Sequence, residues 1–250
     1  MMMLNIYESI LIPWLILGLL TACILLRVKA PYGKFTSSSW GPQISFNLGW
    51  IIQELVSPLV FTITFLSGLE KPSCYAWFFF VIWNLHYFNR SLIFPLRKKD
   101  KMKKCPLAVV FSAILFNMIN GFINGYFISQ IFTAEPNYFL NINFIIGLLV
   151  LITGVYINIV SDNILIKIQN QNEGYKVPYG SMFKFISCPN YFGEILQWFG
   201  FYLMTLSPAA LIFFYWTMAN LIPRAISNHN WYNKNFRSYP SRAALIPFIF

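Results

Sequence analysis

The sequence predicts an all-α integral membrane protein, a bundle of about seven transmembrane helices with the amino terminus outside and the carboxyl terminus in the cytosol. Three observations lead to this fold class. The 250 residues are 57% hydrophobic and only 10% charged, whereas a soluble domain is roughly half apolar and a quarter charged. The mean hydropathy is +0.57, and the apolar residues lie in long blocks. The basic residues gather in alternate links between those blocks.

The apolar blocks are long enough to be membrane-spanning helices, since a helical span needs about 20 residues. A lipid-exposed backbone must satisfy its own hydrogen bonds, and barrel strands would show alternating hydrophobicity, so helices are favoured. The first block lacks the basic segment that opens a secretory signal, and we interpret it as an uncleaved span. The predicted spans are residues 4–26, 46–67, 74–95, 107–132, 139–166, 191–206 and 209–226.

The basic links predict the orientation. "RVKAPYGK" follows the first span and "RKKDKMKK" the third, and further Lys and Arg residues follow the fifth and seventh. The other links are short and carry Glu70 with Lys71, and Glu135, while Glu8 lies near the amino-terminal end of the first span. Because cytoplasmic loops are enriched in Lys and Arg, the net charge of +10 reports membrane topology and not a nucleic-acid partner. The membrane is the bacterial inner membrane for a prokaryotic chain and the endoplasmic reticulum for a eukaryotic one.

Several kinds of site are missing from the sequence. The four cysteines are scattered and there are two histidines, so we expect neither a structural zinc site nor a disulfide framework, and no bound metal. No dinucleotide fingerprint, Walker loop or H-E-x-x-H motif occurs. A nucleotide, if bound, must therefore be held by helix ends and polar loops.

The second span carries an acid at membrane depth. In "WIIQELVSP", Trp50 and Glu54 are four residues apart and share a helix face. Pro58 cannot donate to the carbonyl of Glu54, which predicts a kink beside the acid. An ionisable group within a span costs about 2.5–3.5 kcal/mol on insertion scales. A functional role for Glu54 is the favoured interpretation.

The third span carries a polar stripe in "WNLHYFNRSLIF", where Asn84, Tyr87 and Arg90 follow one another at three-residue steps. Arg90 could instead snorkel toward the cytosol, and Tyr87 could belong to an aromatic belt.

Two further polar pairs lie near the predicted cytosolic ends. Asn158 and Asp162 share a face of the fifth span, and Asn190 and Glu194 share a face in "NYFGE". Asp162 could alternatively be an interfacial charge.

The fourth span contains "NGFING", in which Gly121 and Gly125 have the G-x-x-x-G spacing of closely packed helices. Asn117, Asn120 and Asn124 share that face and could either bridge helices or line a pocket.

Six segments together resemble one known family. "QELVSP", "LHYFNR", "NGFINGY", "INIVSDNIL", "CPNYFGEILQW" and "YPSRAALIPFIF" occur in the order found in the steroid 5α-reductases, and the resemblance runs from about Tyr32 to Phe250. It implies a seven-helix membrane fold and NADPH-dependent reduction of the C4–C5 double bond of 3-oxo-Δ4-steroids, of the testosterone or progesterone type, to 5α-steroids. Residues 1–250 would then form one domain, with the substrate pocket mainly in the amino-terminal helices and the cofactor site mainly in 155–250.

The resemblance also implies the site residues. Glu54 and Tyr87 match the family's catalytic acid and tyrosine at the steroid ketone, with Trp50 beside the substrate. Lys176 and Asn228 stand where the animal enzymes have arginine and histidine, and a lysine presents a point charge in place of a planar fork. The implied cofactor contacts are Tyr32, Arg90, Asn158, Asp162, Tyr175, Lys176, Asn190, Glu194, Trp198, Arg224, Asn228 and Tyr232.

The residue types fit this chemistry. An enone accepts hydride at its β-carbon only if the charge that develops on the ketone oxygen is stabilised, and donors aimed at that oxygen in a dry pocket supply the largest such contribution. The phenol of Tyr87 and a neutral Glu54, which apolar surroundings favour, are suitable donors. We expect the protein to be surrounded by membrane lipid and the steroid to enter from the lipid phase. We also expect the protein to be a monomer.

Three alternatives remain at this point. The chain could reduce another lipid enone, such as a polyprenol or a trans-2-enoyl-CoA. "CPNYFGE" is also similar to a segment of isoprenylcysteine methyltransferases, which use S-adenosylmethionine. A receptor or transporter lined by Glu54 and Arg90 is the non-enzymatic alternative, although transporters commonly show internal repeats and none is visible here.

Overall fold

Helices make up most of the computed structural model, which describes residues 2–31, 33–68, 71–99, 103–171 and 174–247. Five helices in this part of the chain are long and apolar enough to cross a membrane. They confirm an all-α membrane protein, while the number of spans and their orientation stay predictions. The helices are α1 Met2–Leu25, α2 Phe46–Leu66, α3 Cys74–Phe88, α4 Phe94–Leu96, α5 Leu107–Tyr126, α6 Ile142–Gln169, α7 Pro189–Thr205 and α8 Pro208–Asn235.

The observed helices follow the predicted spans closely, with two differences. The third and fourth spans each contain a π-helical segment, Asn89–Ile93 between α3 and α4 and Phe127–Ile131 after α5. The helix predicted over 209–226 continues to Asn235. Hydropathy falls after residue 226, but no glycine or proline occurs between Pro223 and Pro240. The chain therefore contains no helix-breaking residue that would end the helix at 226.

A short antiparallel pair of strands was not predicted. β1 (Gln43–Ser45) pairs with β2 (Lys104–Pro106) directly before α2 and α5 begin. The pair holds Cys105 in a buried position, and burial raises the pKa of its thiol to about 11. The strands therefore join the starts of two helices that are far apart in the sequence.

The described residues form two compact units. Unit 1 contains those of Met1–Leu11 and Ala30–Tyr138. Within it, α2 and α5 approach closely through the predicted G-x-x-x-G pair. A Cβ atom on Gly121 would lie 2.8 Å from the Ser57 carbonyl oxygen, and one on Gly125 would lie 2.9 Å from that of Phe61. Asn117 bridges the same two helices, because its Nδ2 donates to the Gln53 carbonyl at 2.7 Å.

Unit 2 contains Ile12–Lys29 and Phe139–Phe250. Its centre is the contact between α6 and α7, where backbone meets backbone. A Cβ atom on Gly154 would lie 2.4 Å from the Gln197 nitrogen and 2.5 Å from the Gly193 carbonyl oxygen. Since real Cβ atoms do not approach so closely, only glycine allows these helices their present separation.

The carboxyl-terminal tail that follows α8 packs against other residues of unit 2. Leu245 is buried with Cys188 and Ala225, and Ile186 forms a parallel β-bridge with Ala243. Residues 248–250 lie outside the described part of the chain.

Replacing Gly154 by alanine should lower the stability of the purified protein by about 1–3 kcal/mol, because the added methyl group overpacks the α6–α7 contact. Leu149→Ala is the matched control on the same helix, since Leu149 is 61% exposed. Thermal unfolding in detergent measures both variants. Equal midpoints for Gly154→Ala and the parent protein would contradict the close helix contact.

Candidate functional site

Trp50 and Arg90 form a contact between α2 and the π-helical segment after α3. The indole Nε1 of Trp50 donates to the Arg90 carbonyl at 3.0 Å. The Arg90 guanidinium carbon lies 5.0 Å from the Trp50 ring and 4.9 Å from the Phe94 ring. These distances are typical of cation–π contacts, so the arginine side chain is held against aromatic faces.

Glu54 lies one turn after Trp50 on α2 and is half-buried. Its Oε1 accepts a hydrogen bond from Gln53 Nε2 at 3.3 Å. α2 continues through Pro58 to Leu66, although this proline has no N–H to give the Glu54 carbonyl. The acid is thus held beside a neighbouring amide, at a point where the helix lacks one of its own hydrogen bonds.

Tyr87 is 3% exposed and lies at the end of α3. Its ring centroid is 5.3 Å from that of Trp83 and 5.0 Å from that of His86. Ser91 Oγ donates to the Tyr87 carbonyl at 2.6 Å. The π-helical segment Asn89–Ile93 begins two residues later, and such segments occur frequently at functional sites.

Glu54 and Tyr87 lie at the same level on neighbouring antiparallel helices. The tryptophan–arginine contact lies on one side of both residues, and the stacked rings of Phe61 and Trp83, 4.8 Å apart, lie on the other side. Each residue shares a helix face with the contacts that flank it. A carboxyl group and a phenol at one level could together bind a single carbonyl oxygen.

In unit 2, the polar pairs predicted on α6 and α7 meet. Asn158 Nδ2 donates to the Asn190 carbonyl at 2.9 Å, and Asn190 Nδ2 donates to Asp162 Oδ1 at 3.2 Å. Asn158 and Asp162 are only 5% and 7% exposed. Buried polar groups are costly unless hydrogen-bonded, and here the three side chains are joined through hydrogen bonds to Asn190.

Two more of the predicted residues converge on one tyrosine. The Arg224 guanidinium carbon lies 5.5 Å from the ring of Tyr191, and Asn228 Nδ2 donates to the Tyr191 hydroxyl at 3.4 Å. Glu194 lies one turn after Asn190 on α7 and is half-buried. Tyr191 itself was not predicted as a site residue, although it lies within the "NYFGE" motif.

The remaining predicted residues are less clustered. Trp198 is 1% exposed and packs on Phe213 with ring centroids 4.3 Å apart, so its side chain is part of the core. Tyr232 is buried and stacks on Tyr239 at 5.3 Å. Tyr175 is 39% exposed, and its ring lies 5.1 Å from that of Trp231. Lys176 is exposed, and Tyr32 lies outside the described residues.

Gln53 and Ser91 are the other site neighbours that sequence reasoning missed. Both lie inside quoted motifs, "QELVSP" and "NRSLIF". Their hydrogen bonds to Glu54 and to the Tyr87 carbonyl depend on side-chain geometry. Adjacency to a candidate acid was the one signal available for Gln53.

Comparison with known proteins shows consistent similarity. Residues 103–250 match a family model described as 3-oxo-5-alpha-steroid 4-dehydrogenase. Steroid 5-alpha-reductase DET2 of Arabidopsis thaliana is 37% identical over 240 residues, which covers 92% of this chain and 91% of the relative. The protein of that name from Solanum lycopersicum is 35% identical, covering 98% of both chains. The 3-oxo-5-alpha-steroid 4-dehydrogenase 1 of Rattus norvegicus is 34% identical, covering 90% of this chain and 88% of its own.

Proposed function

Because the chain belongs to the 3-oxo-5-alpha-steroid 4-dehydrogenase family and is therefore an oxidoreductase acting on CH–CH bonds, we propose that it reduces the C4–C5 double bond of a 3-oxo-Δ4-steroid with hydride from NADPH. The observation that carries this proposal is the placement of Glu54 and Tyr87 at one level on α2 and α3. The similarity to steroid reductases favours a steroid over a polyprenol or an enoyl-CoA. It also favours reduction over methyl transfer or a non-enzymatic role.

Glu54 and Tyr87 bind the C3 ketone oxygen in this proposal. Negative charge develops on that oxygen as C5 accepts hydride, and two fixed donors stabilise it without reorganising solvent. Gln53 Nε2 donates to Glu54 Oε1, which favours a proton on the other carboxyl oxygen, Oε2, from which the acid donates to the ketone. Tyr87, enclosed by the rings of Trp83 and His86, donates its phenol proton from a side chain with little freedom to rotate.

The residues of unit 2 fit a pyridine dinucleotide. The amides and carboxylate of Asn158, Asp162 and Asn190 can bond ribose hydroxyls and a carboxamide, and Arg224 and Lys176 can meet phosphates. NADPH, when bound, supplies the hydride for C5; the proton for C4 comes from solvent. Further residues that we propose to contact the cofactor are Tyr32, Arg90, Tyr175, Glu194, Trp198, Asn228 and Tyr232.

The surroundings of the reaction follow from the apolar helices. The five helices able to cross a membrane support a membrane location, and we propose that the steroid enters from the lipid phase. The basic links would face the cytosol, in the inner membrane of a bacterium or the endoplasmic reticulum of a eukaryote. The protein would act as a monomer, with no nucleic-acid partner.

Glu54→Gln and Tyr87→Phe should each lower turnover by about 10²–10³-fold, because each removes one donor to the ketone oxygen. NADPH affinity should stay within about twofold, since neither residue is proposed to touch the cofactor. Loss of NADPH absorbance with testosterone or progesterone, together with mass spectrometry of the product, measures turnover.

The matched controls are Glu8→Gln and Tyr75→Phe. Glu8 is exposed on α1, and Tyr75 lies on the same helix as Tyr87 with its ring against Tyr138. Parent turnover in both the Glu54 and Tyr87 variants would rule out the proposed ketone site.

Asp162→Ala should weaken NADPH binding about tenfold or more, because it removes a carboxylate and releases Asn190 from its hydrogen bond. Asn163→Ala is the control, an exposed neighbour on the same helix. Calorimetric titration of the purified full-length protein with NADPH gives both affinities. An unchanged affinity in Asp162→Ala would remove this residue from the cofactor site.

A further inference from the structure

Ser187, two residues before α7, is the buried centre of a hydrogen-bond network. Its side chain is 3% exposed. Its Oγ lies 2.7 Å from His229 Nδ1, 2.7 Å from the Tyr239 hydroxyl and 3.2 Å from the Ala243 carbonyl oxygen. These partners come from α8 and from the carboxyl-terminal tail, so one hydroxyl joins three parts of unit 2.

The direction of each hydrogen bond in the network can be assigned. The Asn233 amide Nδ2 can only donate, and it lies 2.8 Å from His229 Nε2, so Nε2 is the unprotonated imidazole nitrogen. His229 Nδ1 then carries the proton and donates to Ser187. Arg242 Nε donates to the Tyr239 hydroxyl at 2.8 Å, and that hydroxyl donates to Ser187. The Ser187 proton goes to the Ala243 carbonyl, so the Ser187 hydroxyl donates one hydrogen bond and accepts two.

Arg242 anchors the tail end of this network. Its side chain is 9% exposed, and Nη1 donates to the Pro178 carbonyl at 3.1 Å and to the Phe183 carbonyl. Its guanidinium carbon lies 4.5 Å from the Tyr239 ring. Burial is the main cause that raises the pKa of Tyr239, so the phenol keeps the proton that it donates. The arginine thereby ties the tail to the loop that precedes α7.

Backbone hydrogen bonds continue this connection to the first turn of α7. Ser187 N donates to the Ala243 carbonyl at 2.9 Å, and Cys188 N donates to that of Ala244 at 3.1 Å. Cys188 is the N-cap residue of α7 and makes no side-chain capping bond. The tail carbonyls therefore fix the backbone of the N-cap residue and of the residue before it, and so fix the start of this helix.

Two of the proposed cofactor residues depend directly on these contacts. Asn190, two residues after Cys188, holds Asn158 and Asp162 by its carbonyl and its amide. Tyr232 stacks on Tyr239 with an interplanar angle of 4°. We infer that Ser187, His229, Tyr239 and Arg242 are positioning residues, which fix the start of α7 and thereby hold Asn190 and its partners ready for NADPH. This inference rests on the proposed function, because NADPH binding is the property by which it is tested.

The test compares Tyr239→Phe, Ser187→Ala and the double variant with the control Tyr215→Phe. Tyr215 is exposed on α8, and its hydroxyl makes no hydrogen bond to any of the described residues. Each single variant should weaken NADPH binding about tenfold, because each removes the bond between Tyr239 and Ser187 together with the other bonds of the deleted hydroxyl. Turnover at saturating NADPH and the KM for steroid should stay within about twofold. Because both changes remove the hydrogen bond between Tyr239 and Ser187, the double variant should bind more tightly than the product of the single effects predicts.

A milder pair covers the case in which Tyr239→Phe does not accumulate. Asn233 and Asn235 are both exposed on α8, but Asn233 contacts His229 whereas Asn235 donates to the Trp231 carbonyl of its own helix. Asn233→Ala should weaken NADPH binding about threefold, and Asn235→Ala should leave it unchanged.

Equal NADPH affinities within each matched pair would overturn the inference, even if the midpoints of thermal unfolding fell. A loss of turnover and of steroid affinity as large as the loss of NADPH affinity would overturn the inference as well, since that result would indicate that the whole fold is disturbed. Failure of the proposed function looks different, because the parent protein would then neither bind nor oxidise NADPH. Hydrogen exchange at Asn190–Glu194 would still decide the positioning role, with faster exchange expected in Tyr239→Phe than in Tyr215→Phe.

Discussion

The close backbone contact between α6 and α7 is the constraint on which unit 2 depends. Gly154 and Gly193 leave no room for a Cβ atom, and one on Gly193 would lie 2.6 Å from the Asn158 nitrogen. The same proximity allows the short side chain of Asn158 to reach the Asn190 carbonyl. Small residues that permit helix packing thus also determine which polar groups can meet, so the packing and the candidate cofactor site have a common origin.

Polar side chains at the depth of the apolar spans are stabilised mainly by one another and by backbone groups. Trp50 bonds the Arg90 carbonyl, Gln53 bonds Glu54, and Asn190 bonds Asp162. In an environment without water each such bond prevents a costly unsatisfied group. The bonds also remove rotational freedom, and a site built from fixed donors loses little entropy when it binds a ligand.

The sequence predicted the parts of the fold that are determined locally. Long apolar blocks predicted the helices, and the G-x-x-x-G spacing predicted that α5 packs closely on another helix without identifying α2 as that helix. Features that depend on distant segments were not predictable, such as the pairing of β1 with β2 or the tail network around Ser187. The end of α8 was misjudged because hydropathy reports contact with lipid, whereas a helix ends at a breaker or a cap.

The candidate site shows the same division. Helical spacing placed Asn158 with Asp162 and Asn190 with Glu194, and the predicted topology put both pairs near the cytosolic side. The hydrogen bonds that join the pairs across α6 and α7 depend on side-chain geometry and were not predicted. The resemblance to a known family supplied the roles of Glu54 and Tyr87, which spacing alone could not supply.

The π-helical segment Asn89–Ile93 affects how a change in chain length in this region would alter the helix. A π turn accommodates one residue more than an α turn, and successive residues of an α-helix are rotated by about 100° around the axis. Because the π turn absorbs the extra residue, removal of one residue there would regularise the helix and leave Phe94 facing nearly the same direction relative to Tyr87. A deletion in a regular α turn would instead rotate it by about that angle. Homologues that differ by a single deletion between these positions would consequently keep Tyr87 and Phe94 on the same helix faces.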